Sequence, residues 1–262
     1  MSTILDTIAE YAKVRTADAK AVRSLEEIEH LALSTDCNTG FPFEKALSAK
    51  GISFICECKK ASPSKGLIAE NYPYLSIAKE YEQAGASCIS VLTEPKWFLG
   101  KNEYLRQIVQ AVSIPCIRKD FIVDAYMIYE TKLLGASALL LICSLLPTQT
   151  LKEYIGICDR LGLSALVEAH DEAEINSAIE AGARMIGVNN RNLKDFTVDI
   201  NNSGRLRTLV PENILFVAES GITCRADVAS LERAHVDAVL IGETLMRSCN
   251  KKAMLDDLKG TA

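Results

Sequence analysis

Three features of the sequence predict an α/β chain folded as a (β/α)8 TIM barrel with an extra N-terminal helical segment. Short apolar stretches alternate eight times with amphipathic ones, the count of a closed barrel of parallel strands covered by helices. A helix–turn–strand junction recurs as Gln83-Ala-Gly-Ala-Ser87, Leu134-Gly-Ala-Ser137, Glu180-Ala-Gly-Ala-Arg184 and Arg233-Ala-His-Val-Asp237. Its glycines, at 85, 135 and 182, suit the left-handed residue that ends a helix before a strand, and His235 takes the fourth slot. The length of 262 residues is one that a single barrel fills. A doubly wound open sheet would share the alternation, but eight near-equal units favour closure.

Apolar residues Ile4, Leu5, Ile8, Tyr11, Ala12, Val22, Leu25, Ile28 and Leu31 recur at three- and four-residue spacings, which predicts a helical leader over 4–33. The run from Ser34 to Gly40 breaks it. Strands are expected at 53–59, 88–92, 115–118, 138–142, 164–168, 185–188, 214–218 and 238–241. Helices are expected near 74–84, 103–112, 124–134, 149–161, 171–181, 201–209, 224–234 and 243–258. The whole chain, 1–262, is read as one domain. Residues 1–50 form the helical extension, 51–248 the barrel core, and 249–262 the end of the last helix and a tail.

Composition narrows the function classes. The chain is 48% hydrophobic and 24% charged, with a net charge of −5 and no basic tract, which argues against nucleic acid as a partner. Its longest apolar run, Ala138–Cys143, is too short to span a bilayer, and Asp6 and Glu10 interrupt any secretory leader. The nine cysteines are odd in number and mostly lie in apolar runs, while histidines number only three. This usage argues against a zinc site and points to a reducing, cytoplasmic compartment.

In a barrel of this kind the chemistry sits at the C-terminal ends of the strands. The first strand end gives Glu57 and Lys59, which share one face by strand alternation. The third gives Lys119, the fifth Glu168, the sixth Asn189 and Arg191, the seventh Glu219, Ser220 and Gly221, and the eighth Gly242 and Glu243. A carboxylate after any single strand is commonly a helix cap or a salt-bridge partner. Such groups at the same end of successive strands are harder to attribute to chance.

The seventh and eighth loops predict a phosphate niche built from the backbone N–H groups of Gly221, Gly242 and Glu243 and the Ser220 hydroxyl, with Ser62 approaching from the first loop. The Glu243 carboxylate would be repelled there, so it is expected to contribute only its N–H. Lys119 and Glu168 form an acid–base pair, and crowding of lysines in a partly dry pocket is expected to make an ammonium more acidic.

The motifs Glu57-Cys-Lys-Lys-Ala-Ser-Pro-Ser-Lys-Gly66, Leu92-Thr-Glu-Pro-Lys96, Arg118-Lys-Asp-Phe-Ile122, Leu166-Val-Glu168, Gly187-Val-Asn-Asn-Arg-Asn-Leu193, Ala218-Glu-Ser-Gly-Ile222 and Ile241-Gly-Glu-Thr-Leu-Met-Arg247 run in this order over 52–248. In them the chain resembles the indole-3-glycerol-phosphate synthase family of tryptophan biosynthesis, and the first fifty residues match loosely, as that family's extra helix before its barrel. The resemblance implies a carbon–carbon carboxy-lyase. Its substrate would be 1-(2-carboxyphenylamino)-1-deoxyribulose 5-phosphate, closed to indole-3-glycerol phosphate with loss of CO2 and water, without cofactor or metal.

It further implies that Lys119 protonates the ribulose carbonyl and that Glu168 serves the dehydration. Lys59 would face the substrate carboxylate or move a proton, Glu57, Asn189 and Glu219 would orient the lysines and sugar hydroxyls, and Arg191 and Ser62 would seat the anion. Which lysine serves which step stays open. So does the choice between a monomer and a complex with other tryptophan-pathway enzymes.

A sister barrel such as phosphoribosylanthranilate isomerase or the tryptophan synthase α subunit needs no lysine on both first and third strands. A non-catalytic phosphosugar-binding barrel would be expected to lose Lys119 or Glu168 first. His170 reads as a cap or surface histidine. Trp97 and Phe98 read either as a lid over the aromatic part of the substrate or as anchors of an exposed loop. Lys65 reads either as mobile over the phosphate or as solvated.

Overall fold

The computed structural model describes residues 3–192 and 196–261. Eight parallel strands form a closed barrel: Ser53–Cys58, Cys88–Leu92, Cys116–Lys119, Ala138–Ile142, Ser164–Ala169, Met185–Asn189, Leu215–Glu219 and Ala238–Ile241. Closure is made by the first strand, whose Ile55 pairs with Leu240 of the eighth and with Cys88 of the second. That ring excludes the open doubly wound sheet.

Alternation along each strand sorts side chains between two cores. Ile55, Ile117, Leu166 and Val217 point into the barrel, while Phe54, Cys56, Ile89 and Phe216 pack outward under the helices. The residues two places beyond the inward set are Glu57, Lys119, Glu168 and Glu219, so the pleat itself carries these charges to the inside of the mouth.

The leader is three helices, not one: α1 (Ile4–Val22), α2 (Leu25–Leu33) and α3 (Pro42–Leu47). The expected run over 4–33 breaks at Arg23, because Ser24 and Glu27 form a capping box that starts a new helix. Phe43 and Leu47 of α3 join the barrel interior at the end away from the mouth, near where Arg184 pairs with Glu44. The start of α1 lies at the mouth instead.

The expected helix over 243–258 is likewise two, Glu243–Arg247 and Lys251–Lys259. Between them the Asn250 side chain accepts from the Ala253 N–H at 3.0 Å and caps the second. The first loop folds as a short antiparallel hairpin pairing Ala61 with Leu67 and Ser62 with Gly66. At the recurring junctions Gly85, Gly135 and Gly182 have φ of +81°, +84° and +86°, and His235 adopts +58°. His235 is held there by Arg207, whose Nε donates to its carbonyl at 2.8 Å. No helix among the described residues is long and apolar enough to cross a membrane.

Candidate active site

A pocket of about 620 Å³ opens at the C-terminal ends of the strands. All twelve site residues expected from the sequence line it: Glu57, Lys59, Ser62, Lys119, Glu168, Asn189, Arg191, Glu219, Ser220, Gly221, Gly242 and Glu243. Of the motif ending at Leu193, that last residue lies outside the described residues.

The site is assembled around two ion clusters. Lys59 Nζ lies 2.6 Å from Glu57 Oε1, and Glu57 Oε2 accepts from the Ser90 hydroxyl at 3.2 Å. Across the mouth, Lys119 Nζ stands 3.3 Å from Glu168 Oε2 and 3.1 Å from Glu219 Oε2. The three carboxylates are each about 2% exposed.

Lys119 is therefore not the acidified ammonium that lysine crowding predicts. Burial favours its neutral form, but Glu219, Glu168 and Glu57 outweigh burial and hold it well above the ordinary lysine range. Each lysine is matched by carboxylates, Lys59 by Glu57 and Lys119 by Glu168 and Glu219. Burial also raises Glu168, yet Lys119 and His170 overcome it and hold that group below the ordinary value. Glu219 goes the other way: burial, aided by repulsion from Glu168 and Glu57, pushes it up to about 7 against the pull of Lys119.

The residues expected to form an anion niche, Ser62, Ser220, Gly221, Gly242 and Glu243, line the same pocket. Ser220 and Gly221 both adopt left-handed backbone, φ +66° and +82°, at the turn leaving the seventh strand. Left-handed geometry is unusual for serine and marks a constrained loop. The Glu243 carboxylate lies 3.1 Å from Arg247 Nε and 3.7 Å from Lys65 Nζ, so cations outside the backbone niche occupy it. Lys65 thus bridges the first loop to the eighth. The Arg191 side chain donates to the Phe196 carbonyl at 3.4 Å, and its backbone N–H to Asn189 Oδ1 at 3.0 Å.

Close packing under the charges explains two glycines. A Cβ on Gly187 would collide with Glu219 Oε1, and one on Gly242 would come within 2.6 Å of Glu57 Oε1. Both let a neighbouring strand approach a buried carboxylate.

Several lining residues escaped the sequence reading. Ile4, Leu5 and Ile8 of α1 lie over the pocket with Phe98 and Phe121 and form its apolar side. Their helical periodicity was visible, but nothing local said which end of the barrel they would cover. Phe98 faces the pocket, whereas Trp97 turns away from it to stack edge-on against Tyr11 at 5.6 Å. His170 is not a surface histidine: its Nε2 is enclosed and lies 3.6 Å from Glu168 Oε1. The helix cap next to it is Asp171 instead.

The likeness to known proteins is specific. Residues 5–258 match the family model for indole-3-glycerol phosphate synthase. The chain is 58% identical to the indole-3-glycerol phosphate synthase of Ruminiclostridium cellulolyticum, over 99% of this chain and 100% of the relative. It is 52% identical to that of Endomicrobium trichonymphae, over 98% and 99% of the two.

Among solved structures, KGPDC from Streptococcus mutans shares the fold at a TM-score of 0.63 and 12% identity, covering 81% of this chain and 97% of that one. The tryptophan synthase complex from Pyrococcus furiosus does so at 0.60 and 15%, covering 80% and 99%. At such identities these two speak for the barrel alone. The near-full-length matches go further: the chain belongs to the indole-3-glycerol phosphate synthase family, decarboxylating lyases of tryptophan biosynthesis.

Proposed function

We propose that Lys119 is the proton donor of the ring closure and that Glu168 carries the acid–base work of the dehydration. The observation that carries this reading is the Lys119 ammonium held between Glu168 and Glu219, at 3.3 and 3.1 Å, inside the pocket at the strand ends. The aromatic carbon bearing the carboxylate attacks the ribulose carbonyl, and the oxygen becoming an alkoxide takes a proton from Lys119. An alkoxide is more basic than an amine, so donation is favourable even from an ammonium whose pKa is raised. The fixed positive charge also stabilises the transition state. CO2 then leaves, and loss of the new hydroxyl as water with a ring C–H proton completes the indole.

Lys59, held by Glu57, is placed to receive the substrate carboxylate. Glu219 Oε1 is buried with no hydrogen-bond partner among the described residues, which suits it to a sugar hydroxyl. Asn189 supports Glu168 by hydrogen bonding. Ser62, Arg191, Ser220, Gly221 and the Gly242–Glu243 backbone would seat the phosphate. The apolar side under Leu5, Ile8 and Phe121 suits the carboxyphenyl ring. We read the substrate as a phosphosugar, the chain as one domain with its leader packed on the barrel, and the compartment as cytoplasmic, in keeping with nine free cysteines.

Indole fluorescence on mixing the protein with the carboxyphenylamino substrate tests the assignment. Lys119→Ala is expected to lower kcat by about 10²–10⁴-fold with the fold intact. An Ala variant that closes the ring at the native rate would overturn the role given to Lys119.

A further inference from the structure

We propose that His170 relays a proton to Glu168 during turnover, from a polar side cavity behind the active site. The inference rests on the ring-closing reading, because the chemistry of that reaction creates the need. A substrate carboxylate leaves as neutral CO2, so each turnover takes up one proton. Two protons are donated, to the carbonyl oxygen and to the departing hydroxyl, while one is recovered from the ring C–H. The difference must come from solvent to a site whose carboxylates are buried.

The geometry offers a route. His170 follows directly on the fifth strand that carries Glu168. Its Nε2 faces Glu168 Oε1 at 3.6 Å, while Nδ1 lies 3.0 Å from Glu174 Oε2, which also accepts the His170 backbone N–H at 2.8 Å. Glu174 thereby fixes the ring and leaves Nε2 aimed at Glu168 with no hydrogen-bond partner of its own among the described residues. His170 does not line the main pocket. It lines a separate cavity of about 500 Å³, with Asp6, Asp171, Glu174 and Asp199. The ring therefore stands between a buried acid and an open recess lined by acidic residues.

The groups facing His170 are Glu168 and Glu219 from the barrel, Glu174 and the cap Asp171 from the helix that follows, and Asp6 and Asp199 across the recess. Burial favours the neutral ring, but Glu174 and Glu168 outweigh it and raise its affinity for a proton. In the transfer the His170 Nε2–H bond breaks as an O–H bond forms on Glu168. The Glu168 proton passes to the departing hydroxyl as its C–O bond breaks. The imidazole keeps its Nδ1 proton on Glu174 and takes a replacement from solvent after product leaves. His170 thus acts through Glu168 and need not touch substrate.

The test is the single-turnover rate of indole formation against pH for wild type, His170→Ala and His170→Gln, with and without free imidazole. His170→Ala is expected to be about 10- to 100-fold slower with KM within about twofold. Its profile should lack the decline that wild type shows as pH rises through the deprotonation of His170. Imidazole should restore much of the rate, and His170→Gln, which keeps a polar side chain near Glu174, should stay slow. Native rates in both variants would overturn the relay, as would slow variants whose pH profile is unchanged and which imidazole does not rescue. Absence of indole formation by wild type would instead overturn the ring-closing reading.

Discussion

Gly187 shows how finely the charges are set. The sixth strand passes so close to the seventh that a methyl group at Gly187 would strike the Glu219 carboxylate and come within 3.2 Å of Leu166 Cδ1. Glu219 is one of the two anions holding Lys119, and its pKa of about 7 reflects burial beside Glu168. Gly187→Ala is therefore expected to push Glu219 off Lys119 and slow ring closure by at least tenfold. Overpacking at this one methyl should cost about 1–3 kcal/mol of stability. A kinetic assay beside a denaturant titration checks both, and a variant with native kcat would show that Glu219 need not hold its place.

Among the elements, α1 has the least expected role. It runs from the mouth across the barrel's side and is pinned by Arg15 to Asp120 at 2.9 Å and by Lys20 to Asp124 at 2.6 Å. Those anchors sit in the turn after the third strand, next to Lys119, so the helix that covers the pocket is tied to the strand that supplies its ammonium. The covering residues Ile4, Leu5 and Ile8 are apolar, which fits an aromatic ring beneath them. Removing three carbons of Leu5 by Leu5→Ala forfeits about 2 kcal/mol of burial at about 0.8 per methylene. Steady-state kinetics should then show KM raised by roughly tenfold or more and kcat nearly unchanged. An unchanged KM would mean that α1 does not contact bound substrate.

For the molecule as a whole, the third strand is anchored by a buried ion network. Arg118, about 1% exposed, donates to Thr93, Met127, Thr131 and Asn102 and pairs with Asp120 at 3.4 Å and Glu130 at 2.7 Å. Burial would raise the Asp120 carboxyl, but Arg118 and Arg15 hold it below its ordinary 3.8. A carboxylate depressed by folding adds stability above its unfolded pKa and loses it as pH falls through the lower folded value. Asp120→Asn should thus lower stability at pH 7 by about 3–5 kcal/mol, since it leaves a buried arginine short of an anion. Urea titrations should show that deficit constant down to about pH 4, where this aspartate begins to protonate in the unfolded chain, and shrinking below it as pH falls toward the lower folded value. A deficit independent of pH throughout would remove Asp120's charge from the account.

The eightfold alternation, the inward side of each strand and the convergence of the twelve pocket residues were all legible along the chain, because a strand's pleat and a parallel barrel's connections are local rules. Glu57, Lys119, Glu168 and Glu219 follow inward apolar residues by two places, and that spacing alone carries them to the mouth. Even the break at Ser24 was written locally, in a capping box that a continuous apolar period concealed. Tertiary structure decided what depends on distance between strands. It paired Lys119 with two carboxylates where sequence suggested crowded lysines, and so raised the affinity for a proton that burial alone would lower. It also turned His170 from a helix-end residue into a neighbour of Glu168, and laid the first turns of α1 over the pocket. Charges interact through space, so their sign and separation at the site emerge only once the barrel has closed.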